Sequence, residues 1–218
     1  MHDVLLVYKQ VSMQFDENSN VIISEDAPMV HTVSCDEKPG IQAIATTGDD
    51  LRPTAKTGCV YRDAEYKRLG TLSLLAGIDL LTGIAIPVVS ETHKSSDFIT
   101  LLKKLGVLYP EGDIIRIVCD NHSAHKSKET RNYLATQPEG RFVFVFTPKH
   151  GIWLDMAEIE IGIMNRQSFG KPCADLESFR QQVRAWTIKS NTKCVKINWQ
   201  FKTQDAKIKL ARLYPNIV

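Results

Sequence analysis

Asp113-Ile114-Ile115-Arg116-Ile117-Val118-Cys119-Asp120-Asn121-His122-Ser123-Ala124-His125 reads as a short apolar strand that ends on an acid and breaks into a polar turn ahead of a helix. An ionisable side chain at the C-terminal end of a buried strand lies where open α/β sheets carry their chemistry. Asp120 is therefore the anchor of the reading, and the question becomes which other acids join it.

Working outward, the helix after this strand is expected from about Ser127 to Thr136, with Pro138 stopping it, and Phe142 to Pro148 follows as a continuous aromatic run, the pattern of a strand buried on both faces. Upstream, Phe98, Leu101, Leu102 and Leu105 recur at helical spacing behind Ser95 or Ser96 as caps, with Gly106 and Pro110 ending the helix. Two strands, 70–80 and 83–91, flank a tight turn at Leu81-Thr82-Gly83. A strand over 31–39 alternates Thr32, Ser34 and Asp36 with Val33 and Cys35 and is expected to stop at Pro39-Gly40. Residues 41–69 read as loop. Beyond the aromatic run, Met156, Ile159, Ile163 and Met164 mark a helix over 156–167, and a further helix starts at Asp175 with Leu176, Phe179, Val183 and Trp186 on one face.

Three strands followed by alternating helices and strands give a mixed sheet flanked by helices, an α/β arrangement compatible with a ribonuclease H-like fold. The expected organisation is a lead-in over 1–30, a catalytic domain over 31–195 and a tail over 196–218. At 218 residues the chain buries a full core without staples. Its net charge of +2 gives no electrostatic signal for nucleic acid, so basic residues that meet DNA must be clustered or supplied elsewhere. Five dispersed cysteines without a C-x-x-C pair fit a reducing compartment, and the absence of a membrane-length apolar run or signal-peptide pattern makes cytoplasm the expected address.

Asp36 ends the first strand, Asp120 the fourth, and Glu158 begins a helix soon after the fifth. Acids from separate elements converging on one sheet edge suit phosphodiester chemistry, because Mg²⁺ prefers a few carboxylates plus water and substrate oxygens. Two such ions about 4 Å apart activate the attacking oxygen and stabilise the leaving one. An aspartate at a strand end is nonetheless commonly a turn former or helix cap. Asp63, Asp79, Asp97 and Asp113 compete with the trio, as Glu160 does with Glu158, and spacing alone leaves the choice open.

Residues 34–44 (SCDEKPGIQAI), 69–83 (LGTLSLLAGIDLLTG), 117–135 (IVCDNHSAHKSKETRNYLA), 146–167 (FTPKHGIWLDMAEIEIGIMNRQ) and 197–215 (INWQFKTQDAKIKLARLYP) together resemble successive segments of a bacterial insertion-sequence transposase of the mariner superfamily, in its acidic-triad (DDE-type) catalytic domain. DNHSAH followed by TPKHG-x-W-L is the specific combination. The resemblance implies Asp36, Asp120 and Glu158 as catalytic acids and metal ligands, Mg²⁺ or Mn²⁺ as cofactor in a pair, and DNA strand cleavage and strand transfer at element ends. It also implies double-stranded DNA, both terminal repeats and target, as partner, a homodimer, and no membrane. The stretch between Asp120 and Glu158 is slightly longer than usual in the superfamily, and a turn at Gln137-Pro138-Glu139-Gly140 accommodates the excess.

Two departures stand out. Ile152-Trp153-Leu154-Asp155 replaces Ser-Trp-Leu-Asn, so an extra carboxylate at Asp155 is expected to join the metal shell, raise a neighbour's pKa or disturb the site. The helix-turn-helix region that reads terminal repeats in relatives has no counterpart before His31, which makes a fragment, a truncated frame or half of a split gene the expectation. A non-catalytic remnant that keeps the fold, and a nuclease acting on RNA–DNA hybrids, are the competing functions. Lys149, His150 and Trp153 form a basic, aromatic loop suited to phosphate contact and base stacking. Asn121, His122 and His125 are auxiliary candidates; the H-x-x-H spacing lacks a Glu or Cys partner at the usual offset and reads as loop structure or DNA contact rather than metal.

Overall fold

A computed structural model describes residues 2–22, 27–61, 65–148, 151, 154–168 and 173–194. Five strands form one mixed sheet in the order β3-β2-β1-β4-β5. β1 (Val30–Thr46), β2 (Tyr66–Asp79) and β3 (Ala85–Ser90) make an antiparallel meander, and β4 (Ile114–Cys119) and β5 (Phe142–Phe146) add parallel strands on the other side of β1. The expected ribonuclease H-like mixed sheet flanked by helices is thus present.

Side-chain alternation divides the core into two layers. Val33 and Cys35 of β1 and Ile115, Ile117 and Cys119 of β4 pack with Phe98, Leu101, Leu102 and Leu105 of α2 (Ser95–Leu108), while α3 (Lys128–Leu134) contributes Tyr133 and Leu134 on the same side. The opposite face carries α1 (His2–Ser12), α4 (Met156–Ser168) and α5 (Leu176–Lys193). Phe179, Val183 and Trp186 of α5 are buried there, as their spacing predicts.

Several boundaries differ from the sequence reading. Part of the 1–30 lead-in is helix α1, whose Val4, Leu5, Val7, Tyr8 and Val11 are buried in the core. Its short apolar run carries the i, i+3, i+4, i+7 stripe of a packed helix. β1 does not stop at Pro39-Gly40: pairing lapses between Lys38 and Ile41 and resumes, and Gly40, at φ +71°, takes the left-handed conformation of a bulge. Loop 41–69 accordingly shrinks, with strand to Thr46 and from Tyr66. β5 is an edge strand with Val143 partly exposed, not a strand buried on both faces. Neither Ser95 nor Ser96 caps α2; Lys94 is the N-cap residue, and the Asp97 carboxylate accepts from its backbone N–H at 2.8 Å and from the Thr92 hydroxyl at 2.6 Å. The predicted tail lies outside the described residues.

At the opposite end of the sheet from Asp120, Asp113 fastens the entry of β4 to the entry of β1. Its carboxylate accepts from the Met29 backbone N–H at 3.1 Å and lies 2.9 Å from His31 Nε2. The His31 hydrogen bond holds the Asp113 carboxyl below the usual carboxylate range. A depressed pKa contributes stability above the unfolded-state value and loses it as pH falls through the folded-state value. Asp113→Ala is therefore expected to cost about 1 kcal/mol at pH 7 in urea unfolding, with the deficit shrinking toward zero as pH is lowered through the carboxylate range.

Candidate active site

The parallel pairing of β1 with β4 puts Ser34 opposite Val118. Continuing that register by two residues sets Asp36 beside Asp120. Both lie in phase with the side chains that face α4: Ser34 reaches Asp155 at the start of that helix, and Val118 packs with Leu154, Met156 and Ala157. Glu158, in the first turn of α4, is exposed above this edge. The register thus sets Asp36, inside β1, beside Asp120, after β4, on the face that carries α4, whose first turn holds Glu158.

The Asp36 carboxyl feels the charge of both other acids. Burial pushes the Asp36 carboxyl up to about 6, and the negative charges of Glu37, Glu158 and Asp120 add to the rise against a 2.8 Å hydrogen bond from the Glu37 backbone N–H. Burial also raises Glu158. An aspartate whose ionisation is opposed by neighbouring carboxylates suits a hard divalent cation, which would supply the missing positive charge.

The competing acids are spent elsewhere. Asp79 organises the β2–β3 turn, accepting from the backbone N–H groups of Leu81 and Thr82 at 2.8 and 3.2 Å and from the Tyr109 hydroxyl at 2.8 Å. Asp97 serves the start of α2 and Asp113 the entry of β4, as described above. Glu160 is buried and takes a 3.3 Å hydrogen bond from Ser190. Asp63 lies outside the described residues, as do Lys149, His150, Ile152 and Trp153.

The charge of Asp155 adds to the rise of the neighbouring Tyr8 and Cys35 groups, as expected, and its hydrogen bonds give it a further role. It is buried, directed at β1, and its Oδ1 accepts from the Ser34 hydroxyl at 2.5 Å and from the Ala157 backbone N–H at 2.9 Å. That second bond makes it the N-cap of α4, a position for which Asp and Asn are equally suited, so the departure from the family's Asn keeps the capping function. The Tyr8 hydroxyl donates to the Leu154 carbonyl alongside, closing a buried network over α1, β1 and α4. Burial, with the nearby Asp36 charge, pushes Asp155 well above the carboxylate range.

Asn121 and the two histidines build the loop after β4. Asn121 Nδ2 donates to the Thr147 carbonyl at 2.7 Å, tying the loop to the end of β5, and Asp120 Oδ1 accepts from the His122 backbone N–H at 2.8 Å. His125 is fully buried against Phe98, with Nε2 2.8 Å from Glu37 Oε1 and Nδ1 3.1 Å from the Asp120 carbonyl. Burial alone lowers its pKa, but hydrogen bonds to the Cys119 sulfur and to Glu37 outweigh that and push it up to about 11. Glu37 was not singled out from the sequence. Strand alternation, which sends it to the face opposite Asp36, was the available signal.

A mixed sheet of this order flanked by helices is the fold of the catalytic cores of metal-dependent polynucleotidyl transferases and nucleases. The chain belongs to the DDE superfamily endonuclease family, whose sequence model matches residues 31–180. It is 32% identical over 77 residues to the insertion element IS630 uncharacterized 39 kDa protein of Shigella sonnei; the match spans 35% of this chain and 22% of that relative. Its fold is similar to that of the mariner Mos1 paired end complex with Mg, at TM-score 0.50 and 11% identity over 88% of this chain and 57% of the other. The HTLV-2 integrase catalytic core domain in complex with magnesium aligns at TM-score 0.39 and 12% identity, covering 78% of this chain and 85% of the other.

A raised carboxyl pKa favours folding at low pH and loses that contribution as pH rises through the folded-state value. Asp155→Asn, which keeps the cap without a buried charge, is expected to match the parent's melting temperature in acid and to exceed it increasingly toward pH 8. Asp155→Ala, which leaves the Ser34 hydroxyl without its acceptor and the Ala157 N–H with only its 3.3 Å bond to Ser34 Oγ, is expected to cost roughly 1–3 kcal/mol in urea unfolding at pH 5.

Proposed function

We propose that this chain is the catalytic domain of an insertion-element transposase that cleaves DNA at the element's ends and transfers the freed 3′-hydroxyl to target DNA. Asp36, Asp120 and Glu158 would hold Mg²⁺ or Mn²⁺, as a pair of ions. The observation that supports the reading is that the β1–β4 register sets Asp36 beside Asp120 and that the charges of Glu158 and Asp120 act on the Asp36 carboxyl, while Asp79, Asp97, Asp113 and Glu160 are occupied by turns, caps and strand ties.

When bound, the metal supplies activation of the attacking oxygen and stabilisation of charge on the leaving one. The protein's part is positional. β1 and β4 fix the two aspartates on a rigid platform, and the Asp155 cap fixes the first turn of α4 and with it Glu158. Asp120 is further held by the His122 N–H, so its carboxylate keeps one orientation. Magnesium in the similarly folded Mos1 complex supports the choice of ion. Double-stranded DNA of the terminal repeats and the target is the proposed substrate, met by two copies of the chain, with Lys149, His150 and Trp153 assigned to DNA contact from sequence.

The test is Mg²⁺-dependent cleavage of a duplex carrying the element end. Asp36→Asn and Asp120→Asn are expected to lower the rate at least about 1,000-fold, equivalent to about 4 kcal/mol of transition-state stabilisation, with unchanged circular dichroism. Cleavage that survives in either folded variant would overturn the assignment. A parent protein that neither cleaves nor binds Mg²⁺ by calorimetry would establish the non-catalytic remnant instead.

A further inference from the structure

On the sheet face opposite Asp36, three side chains from two distant segments converge. Glu37 Oε1 lies 2.8 Å from His125 Nε2 and 3.8 Å from His122 Nδ1, and one donor atom from each of the three falls within 4.8 Å of the others. Four coordinate ligands at about 2.0–2.1 Å from a zinc-like ion are separated by about 3.3 Å, so the two measured separations bracket what a shared ion requires.

The surroundings of each imidazole favour a ligand role. His125 Nδ1 faces the Asp120 backbone carbonyl at 3.1 Å and Asp120 Oδ1 at 3.2 Å. A hydrogen bond donated there holds the ring with Nε2 toward Glu37; in the metal-free protein Nε2–H donates to that carboxylate, and an ion bound between the two would take the place of this proton, with the Nδ1 bond as the outer contact that metal-bound histidines ordinarily have. His122 Nδ1 is a buried atom with no hydrogen-bond partner, although the rest of its ring is partly exposed. Buried polar nitrogens without partners are uncommon, and this one points toward the same carboxylate. The two rings stand nearly edge-on to each other, 75° apart with centroids 5.7 Å apart. The exposed ring of His93 lies 6.0 Å from that of His122 and lines, with Lys94, Ser95 and Ser127, an open cleft of about 610 Å³.

We propose that Glu37, His122 and His125 form a binding site for one borderline transition-metal dication, of which Zn²⁺ is the type, distinct from the all-carboxylate site. Two imidazoles and a carboxylate select Zn²⁺, Co²⁺ or Ni²⁺ over Mg²⁺, whereas Asp36, Asp120 and Glu158 offer the hard oxygen set that Mg²⁺ takes. The cleft leaves the fourth position open to water or to His93. The H-x-x-H motif thus has its carboxylate partner, supplied by the neighbouring strand rather than by the local sequence. The site does not depend on the catalytic role of Asp36 or Glu158.

Tag-free full-length chain, stripped with chelator and desalted, is titrated with Co²⁺ as the probe and then with Zn²⁺. One equivalent of Co²⁺ is expected to give the visible absorption of an imidazole-ligated ion, to be displaced by Zn²⁺, and to persist in excess Mg²⁺. His122→Ala, on a partly exposed side chain, is expected to weaken Zn²⁺ binding at least about 100-fold with unchanged circular dichroism. Glu37→Gln is expected to weaken it as well, and the Asp36→Asn/Glu158→Gln double variant to retain the spectrum. The proposal is overturned if the parent gives no such absorption, if His122→Ala leaves it intact, or if the double variant abolishes it.

Discussion

The parallel register between β1 and β4 governs what the rest of the molecule can do. Neighbouring parallel strands hold their backbones about 4.8 Å apart, so matching residues present side chains together. Ser34 opposite Val118 commits Asp36 and Asp120 to the same level and the same face. A slip of one residue on either strand would turn one aspartate toward α2 and exchange buried Val33 or Ile117 for polar neighbours. The apolar layer against α2 therefore enforces the geometry of the acids, although it never touches them. Asp113 and His31 pin the other end of the same strand pair, where a slip would have to begin.

Glu158 depends on a second constraint. A helix can place an acid reproducibly only if its first turn is anchored, and α4 is anchored from below. Ser34, two residues before Asp36 on β1, donates to Asp155, which caps the helix that carries Glu158. The network thus couples the strand bearing the first acid to the helix bearing the third through buried hydrogen bonds, which are stronger and less forgiving than solvated ones. Tyr8 brings α1 into the same arrangement, which is why a segment that reads as a lead-in is packed as tightly as the sheet.

Sequence periodicity located the elements that bury one clean stripe. α2, β4 and α5 are legible because Phe98 to Leu105, Ile114 to Cys119 and Leu176 to Trp186 repeat at a single period. It failed where tertiary contacts override local signals. Pro39-Gly40 looks like a terminus, yet the two central neighbours of β1 carry the strand past a bulge. The aromatic run of β5 looks doubly buried because hydrophobicity records one packed face and cannot report a missing strand on the far side. At the site, Asp120 was readable as a strand-end acid, whereas Asp36, read as the end of the first strand, lies inside β1, which continues past it to Thr46; Glu158 entered through resemblance. The competitors could be dismissed only in three dimensions, since a capping aspartate and a ligand aspartate have the same sequence appearance. Asp155 carries both readings at once: its charge raises neighbouring groups, and its hydrogen bonds cap α4.

Consecutive residues on β1 serve different chemistries because a strand sends them to opposite faces. Asp36 lies beside Asp120 on the face toward α4; Glu37 meets His122 and His125, the latter packed on Phe98 of α2. The two clusters are nevertheless bridged by Asp120, whose side chain belongs to the first while its Oδ1 and backbone carbonyl both stand within about 3.2 Å of His125 Nδ1. A positive charge at His125, whether a proton or a metal on its far nitrogen, therefore acts on Asp120 directly through that imidazole. Without it, Glu37 would add an uncompensated charge beside Asp36, whose carboxyl is already reluctant to ionise. The buried histidine thus balances Glu37 on the face of β1 opposite Asp36.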